Sequence, residues 1–214
     1  MCKDASHLLD LLHACSCAQE KAVRDWHVSQ PADERAALSG HDPESLTGLV
    51  LAQNFTNCAL WHIEDTVRRT DVDDAVIADC KRRIDGFNQR RNDLIEEVDE
   101  TLARILRPLL PAASGTKRLR HNTETLGMVI DRLSILALKI YHMNEQIGRC
   151  DVDEPHRETS RKKLAVLREQ RADLFQALLD LVEDFLGGAK EPKVYYQFKM
   201  YNDPALNPEL YEHG

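Results

Sequence analysis

The sequence predicts an all-α fold: an antiparallel bundle of about five long helices, built on a duplicated helical hairpin and finished by a C-terminal aromatic strap. Three observations carry that expectation. Of the 214 residues, 30% are charged, 6% are aromatic and only nine are glycine, a balance that suits solvated helices better than sheets. Apolar residues recur at helical spacing through each long segment. The chain also aligns with itself without a gap at an offset of 80 residues.

The first helix is predicted from Ser6 to about His27, with Leu8, Leu11, Leu12, Cys15 and Val23 on one side. Ser29 to Ser45, containing Pro31, Gly40 and Pro43, reads as a loop. A second helix, from about Glu44 to Arg69, is apolar around most of its circumference. The run Asp71-Val72-Asp73-Asp74 then supplies a turn, a cap and negative charge for the start of the third helix. That helix runs to Arg107 and is stopped by Pro108 and Pro111. The fourth, central helix lies in the most continuously apolar stretch, Asn122 to Glu145, and ends near Gly148. Leu133, Leu136, Ile140, Met143 and Ile147 form one of its faces, and Asp131, Ser134, Lys139, His142 and Glu145 the other. Because Ile135 and Leu138 sit among those polar positions, the polar face is read as carrying its groups into the core. The fifth helix starts around Pro155 and closes at Gly187-Gly188. Residues 190–214 form the strap, so the whole chain is read as one helical domain.

The offset places residues 44–108 on 124–188, with 11 identities over 65 positions. Unrelated sequences would give roughly four. Trp61-His62 meets Tyr141-His142, and Asp71-Val72-Asp73 meets Asp151-Val152-Asp153. The apolar seams match as well, Ile84, Phe87, Leu94 and Val98 against Leu164, Leu167, Leu174 and Leu178.

Composition excludes several classes. With 28 basic and 36 acidic residues the net charge is −8, and no basic run stands against it, so no nucleic-acid partner is expected. Leu12-His13-Ala14-Cys15 has the outline of a lipoprotein cleavage site, but Asp4, His7 and Asp10 interrupt the apolar core such a signal needs. No uninterrupted apolar run of about 18 residues occurs, so no membrane span is expected and the protein is placed in the cytoplasm. Cys2, Cys15, Cys17, Cys58, Cys80 and Cys150 form no CxxC pair and read as free thiols.

Polar residues that interrupt apolar faces are the candidate site. Arg91 and Arg171 occupy matched seam positions, and a guanidinium there needs carboxylate partners. Glu64 is the best local candidate for Arg91 and Asp131 the next. His62 and His142 are each followed at i+3 by an acid, Asp65 or Glu145, which is the reverse of the Glu-x-x-His order of di-metal bundles. The bridging glutamates are not evident, so hydrogen-bonded core histidines are expected, with no metal or other cofactor. The unmatched residues are more informative. The third helix carries Asp85, Asn88, Asn92 and Asp99 beside its seam, and the central helix carries Asp131 and Arg132 where the second has Leu51 and Ala52. A polar pocket between the third and fourth helices, able to grip hydroxyls or a phosphate, is one reading. Solvated surface is the other. No nucleophile elbow, phosphate loop, HExxH or dinucleotide fingerprint occurs.

The blocks LWHIEDTVRR, KRRIDGFNQRRNDLIEEVDETL, IDRLSILALKIYHMNE and KVYYQFKMYNDPALNPELY resemble a bacterial family catalogued as domain of unknown function 4254. The resemblance implies a cytoplasmic helical protein, similar to ones often encoded near glycosyltransferases of lipopolysaccharide and surface-polysaccharide assembly. The Ile84-Asp85 block also faintly resembles the start of the helical chorismate mutases, from which the chain departs at the other active-site positions.

Three functions follow as expectations. The first is a ligand-binding or accessory protein of cell-envelope glycan synthesis, taking a sugar, nucleotide-sugar or phosphate and working beside a glycosyltransferase. Its site would bring Asp85, Asn88, Asn92 and Asp131 together with Tyr201, Asn202 and Asp203. The second is an enzyme of unrecognised type, with His142 or Asp131 as acid or base and Arg91 holding an anionic substrate. The third is a scaffold that dimerises through its first or fifth helix.

Overall fold

In the computed structural model, which describes residues 4–111, 120–200 and 203–212, the long helices begin where a short polar side chain can satisfy the first free N–H groups. Asp4 accepts from His7 N (2.9 Å) at the start of α1 (Ala5–Val28), and Ser45 Oγ accepts from Gly48 N (3.0 Å) at the start of α3 (Leu46–Val67). Asp73 accepts from Val76 N (2.9 Å) at α4 (Asp74–Leu106), which passes into a 3-10 turn, Arg107–Leu109, at Pro108. Thr125 caps α5 (Leu126–Gly148) through Met128 N (3.2 Å), and Asp153 caps α6 (Glu154–Leu186) through His156 N (2.9 Å). A terminal turn, α7 (Pro208–Tyr211), lies within the C-terminal segment.

The segment expected to be a plain loop between the first two long helices contains one helical turn, α2 (Glu34–Ala37). Asp33 caps it, and Glu34 forks onto the Arg90 guanidinium of α4 at 2.9 and 3.2 Å, which fixes the turn against the bundle.

The long helices pack as two pairs of consecutive helices, or hairpins, α3 with α4 and α5 with α6, and α1 packs on α3 and α5. The most enclosed element is α3 rather than the central helix read from the sequence. α3 has 15 buried residues out of 22 and α5 has nine out of 23, because α1, α2, α4 and α5 all pack on α3. Two helix starts require glycine for space. A Cβ on Gly48 would lie 2.1 Å from the Asp42 carbonyl oxygen, and one on Gly127 would lie 2.4 Å from the Ile95 carbonyl oxygen of α4.

The core is divided along the helix axes. A large apolar cluster joins Leu8 and Leu12 of α1, Val50 of α3, Leu94 to Leu106 of α4, Ile130 and Leu133 of α5, and Leu178 to Phe185 of α6. Two smaller clusters lie farther along, one around Val23, Trp26, Phe55, Cys58 and Leu138, the other around Leu60, Ile63, Cys80 and Ile84. Between the large and small clusters lies a set of buried polar groups drawn from α1, α3 and α5: Gln19, Asn54, Asn57, Asp131 and Ser134. Burying that belt costs stability unless every group finds a partner, and the partners define the candidate site.

After α6 the chain returns to α4, where residues 196–199 are held by polar bonds. Tyr196 Oη donates to Glu100 (3.1 Å), Gln197 N to Glu96 (2.7 Å), and Lys199 Nζ to the Asn88 carbonyl oxygen (2.7 Å). The apolar rings there face outward, Phe198 being 79% exposed. No helix among the described residues is long and apolar enough to cross a membrane.

Candidate functional site

Arg91 leaves the seam of α4 and meets Asp131 of α5. Nε donates to Oδ1 at 2.9 Å, and Nη2 donates to Oδ2. The fork is bidentate, the arrangement in which a guanidinium and a carboxylate bind most firmly. Asn57 of α3 donates to the same Oδ1 (2.9 Å) and to Ser134 Oγ (3.2 Å), and Ser134 donates to Asn54 Oδ1 (2.8 Å). Three helices are thereby joined by one chain of hydrogen bonds. The Asp131 bond raises the Arg91 pKa, and burial only partly opposes it, so the arginine is charged at any physiological pH.

Asp131 is buried, but the Arg91 side chain keeps 28% of its surface exposed. That exposed part forms the floor of a cleft of about 410 Å³ between α3, α4 and α5, with Asn57, Trp61, Glu64, Asn88 and Ile135 around it. Acidic and basic groups share its lining, Glu64 and Asp65 beside Arg68 and Arg91. Arg68 lines the rim, and Lys199 is near enough that Arg91, after burial, helps push its pKa down.

The residues expected at the site divide as follows. Arg91, Asn88 and Glu64 line the cleft, with Asp131 directly behind Arg91. Glu64, the first choice for the arginine's partner, is instead paired with Arg68 one turn along its own helix (2.7 Å), so the second choice, Asp131, takes that role. Asn92 is half-buried and does not line the cleft. Asp85 is paired with Lys81 on the outer face of α4, and Arg132 with Glu124 on an exposed face of α5 (2.6 Å). Asp203 closes its own turn through Ala205 N (2.8 Å). Tyr201 and Asn202 lie outside the described residues.

Arg171, the match of Arg91, turns the other way to α1. It binds Glu20 (2.6 Å) and Ser16 Oγ (2.9 Å), and burial lowers its pKa. Asp99, expected in the polar stripe, is structural: it accepts from Gly127 N (2.7 Å) at the start of α5, and burial lifts its pKa to about 6.

His142 stands apart from Arg91, in a group with His27 and His62 whose available ring nitrogens all lie within 4.8 Å of one another. Among the described residues this is the group that could hold a metal ion.

The sequence reading missed Asn54, Asn57 and His27 as members of these constellations, and it placed Ser134 on the core-directed polar face without a partner. The two asparagines had left a signal, since amides three residues apart in an otherwise apolar helix are poor helix formers and need specific bonds.

Comparison with curated proteins finds no match, and comparison with solved structures finds none either. A family model, described as protein of unknown function (DUF4254), matches residues 47–194. Those residues span α3 to α6 and the start of the strap, the whole of the belt and cleft except α1, and the chain therefore belongs to the DUF4254 family.

Proposed function

We propose that the protein binds a small hydroxylated anion, of the sugar, nucleotide-sugar or sugar-phosphate class, in the cleft beside Arg91. The observation that carries this is the state of that arginine. Asp131 uses Nε and Nη2, leaving Nη1 without a hydrogen-bond partner among the described residues, at the floor of an open cleft. A guanidinium so fixed is preorganised for a phosphate or carboxylate, at little cost in ordering. Trp61 and Asn88 add the aromatic ring and the amide that suit a hydroxylated ring. Participation in cell-envelope glycan assembly, as an accessory to a glycosyltransferase, is the context that the family resemblance adds.

Binding is favoured over acid-base catalysis. Asp131 is buried and its oxygens are engaged by Arg91 and Asn57, so it has no free edge for a substrate proton. His142 is bonded to Glu145 (2.7 Å), away from the arginine.

The test is a thermal-shift and calorimetric screen of nucleotide sugars, sugar phosphates and inorganic phosphate. A ligand that raises the melting temperature should lose that effect in Asn88→Ala, and bind several-fold more weakly in Lys199→Ala. If no compound shifts the protein, or if the shift is the same in both variants, the cleft is not the site and the scaffold reading gains.

A further inference from the structure

Three imidazoles from three helices face one another at the end of the bundle away from the large core. His27 is in the last turn of α1, His62 in α3 and His142 in α5. Their neighbours decide which nitrogen carries the proton in two of them. His27 Nδ1 lies 2.7 Å from the Val23 carbonyl oxygen, which only accepts, so Nδ1 is the donor. His142 Nδ1 lies 2.7 Å from a Glu145 carboxylate oxygen and donates for the same reason. In the neutral rings Nε2 is then a bare lone pair. The Nε2 atoms of His27, His62 and His142 are all buried, and none has a hydrogen-bond partner among the described residues.

Buried acceptors gathered without a donor are costly. The rings are also held in their planes by aromatic plates. His27 stacks on Tyr141 (centroids 3.9 Å apart), His142 on Trp61 (4.7 Å), and His62 lies parallel to Trp26 (6.0 Å, 7° between planes).

We propose that His27, His62 and His142 form a binding site for a divalent first-row transition cation of the zinc type. Imidazole nitrogen is the ligand such ions favour, and a backbone carbonyl or a carboxylate on the far ring nitrogen is the usual outer support. Val23 O and Glu145 hold those outer positions. Tetrahedral ligation needs nitrogens about 3.3 Å apart, so the rings draw together on binding. Three protein ligands leave a fourth position for water or another ligand. The expected role is to clasp α1 to the two hairpins. Trp61 is shared with the cleft, but the ion site does not depend on what the cleft binds.

Both tryptophans of the chain stack on this group, so intrinsic fluorescence reports the site directly. The full-length protein, stripped with a chelator, is titrated with Ni²⁺ or Co²⁺. The expected result is saturable quenching at one ion per chain, reversed by competing Zn²⁺, with a melting temperature that rises with metal concentration. His62→Gln and His142→Gln should abolish it while keeping the helical circular dichroism, and the surface variant His121→Gln should leave it unchanged. Glu145→Gln touches no ligating atom and should weaken the affinity roughly 10–100-fold. Absence of saturable quenching in the wild-type protein overturns the proposal, as does quenching that survives in the histidine variants. Should those variants fail to fold, an unchanged affinity in Glu145→Gln overturns it alone.

Discussion

At the scale of single residues, the belt is governed by the cost of an unpaired charge. Removing Asp131 strands the Arg91 guanidinium and the Asn57 amide together, so Asp131→Leu should destabilise by about 3–5 kcal/mol in urea unfolding. The double variant Arg91→Met with Asp131→Leu should recover most of that loss, because no charge is then left behind. Asp99 gives a second test, in pH. Its carboxyl, which ordinarily titrates at 3.8, titrates at about 6 in the fold, raised chiefly by burial. Between those values the folded chain holds a proton that the unfolded chain has released. Its contribution to stability is therefore fully present below the lower value, falls as pH rises toward the upper one, and is flat beyond. A shift of that size corresponds to at most about 3 kcal/mol. Asp99→Asn, which keeps an oxygen for Gly127 N–H, should flatten this part of the pH profile relative to wild type.

At the scale of elements, helix starts were legible and helix rotation was not. Asp73 caps α4 as the run Asp71 to Asp74 implied, and α6 begins at Glu154, beside the Pro155 that marked its start. The short α2 was hidden because four residues give no periodicity to read. The choice between Glu64 and Asp131 as the partner of Arg91 depended on which face of α3 and α5 turns inward, and Glu64 had a competing arginine one turn away. Spacing along one chain says nothing about that competition. Close approach of elements is testable through Gly127, where a methyl group would meet the backbone of α4. Gly127→Ala should force α4 and α5 apart and cost about 1–3 kcal/mol, measured by chemical denaturation.

At the scale of the whole molecule, we propose that the two hairpins are copies of one ancestral unit. What supports it is that α3 and α5 begin 80 positions apart, as do α4 and α6. Residues separated by that same offset also touch, Asn54 with Ser134 and His62 with His142, which is expected of positions on a pseudo-twofold axis. The strap is outside this symmetry and rests on α4 through surface hydrogen bonds. Truncation after Pro192 should leave the helical signal intact and lower stability by about 1 kcal/mol per lost bond at most, while weakening binding in the cleft through loss of Lys199. The polar belt has one more effect. It separates a thick apolar end from a thin one, so the two ends should not open together. In native-state hydrogen exchange the amides around Leu102 and Leu178 should wait for global unfolding, whereas those near Trp26 and Ile63 should exchange through a cheaper, partial opening.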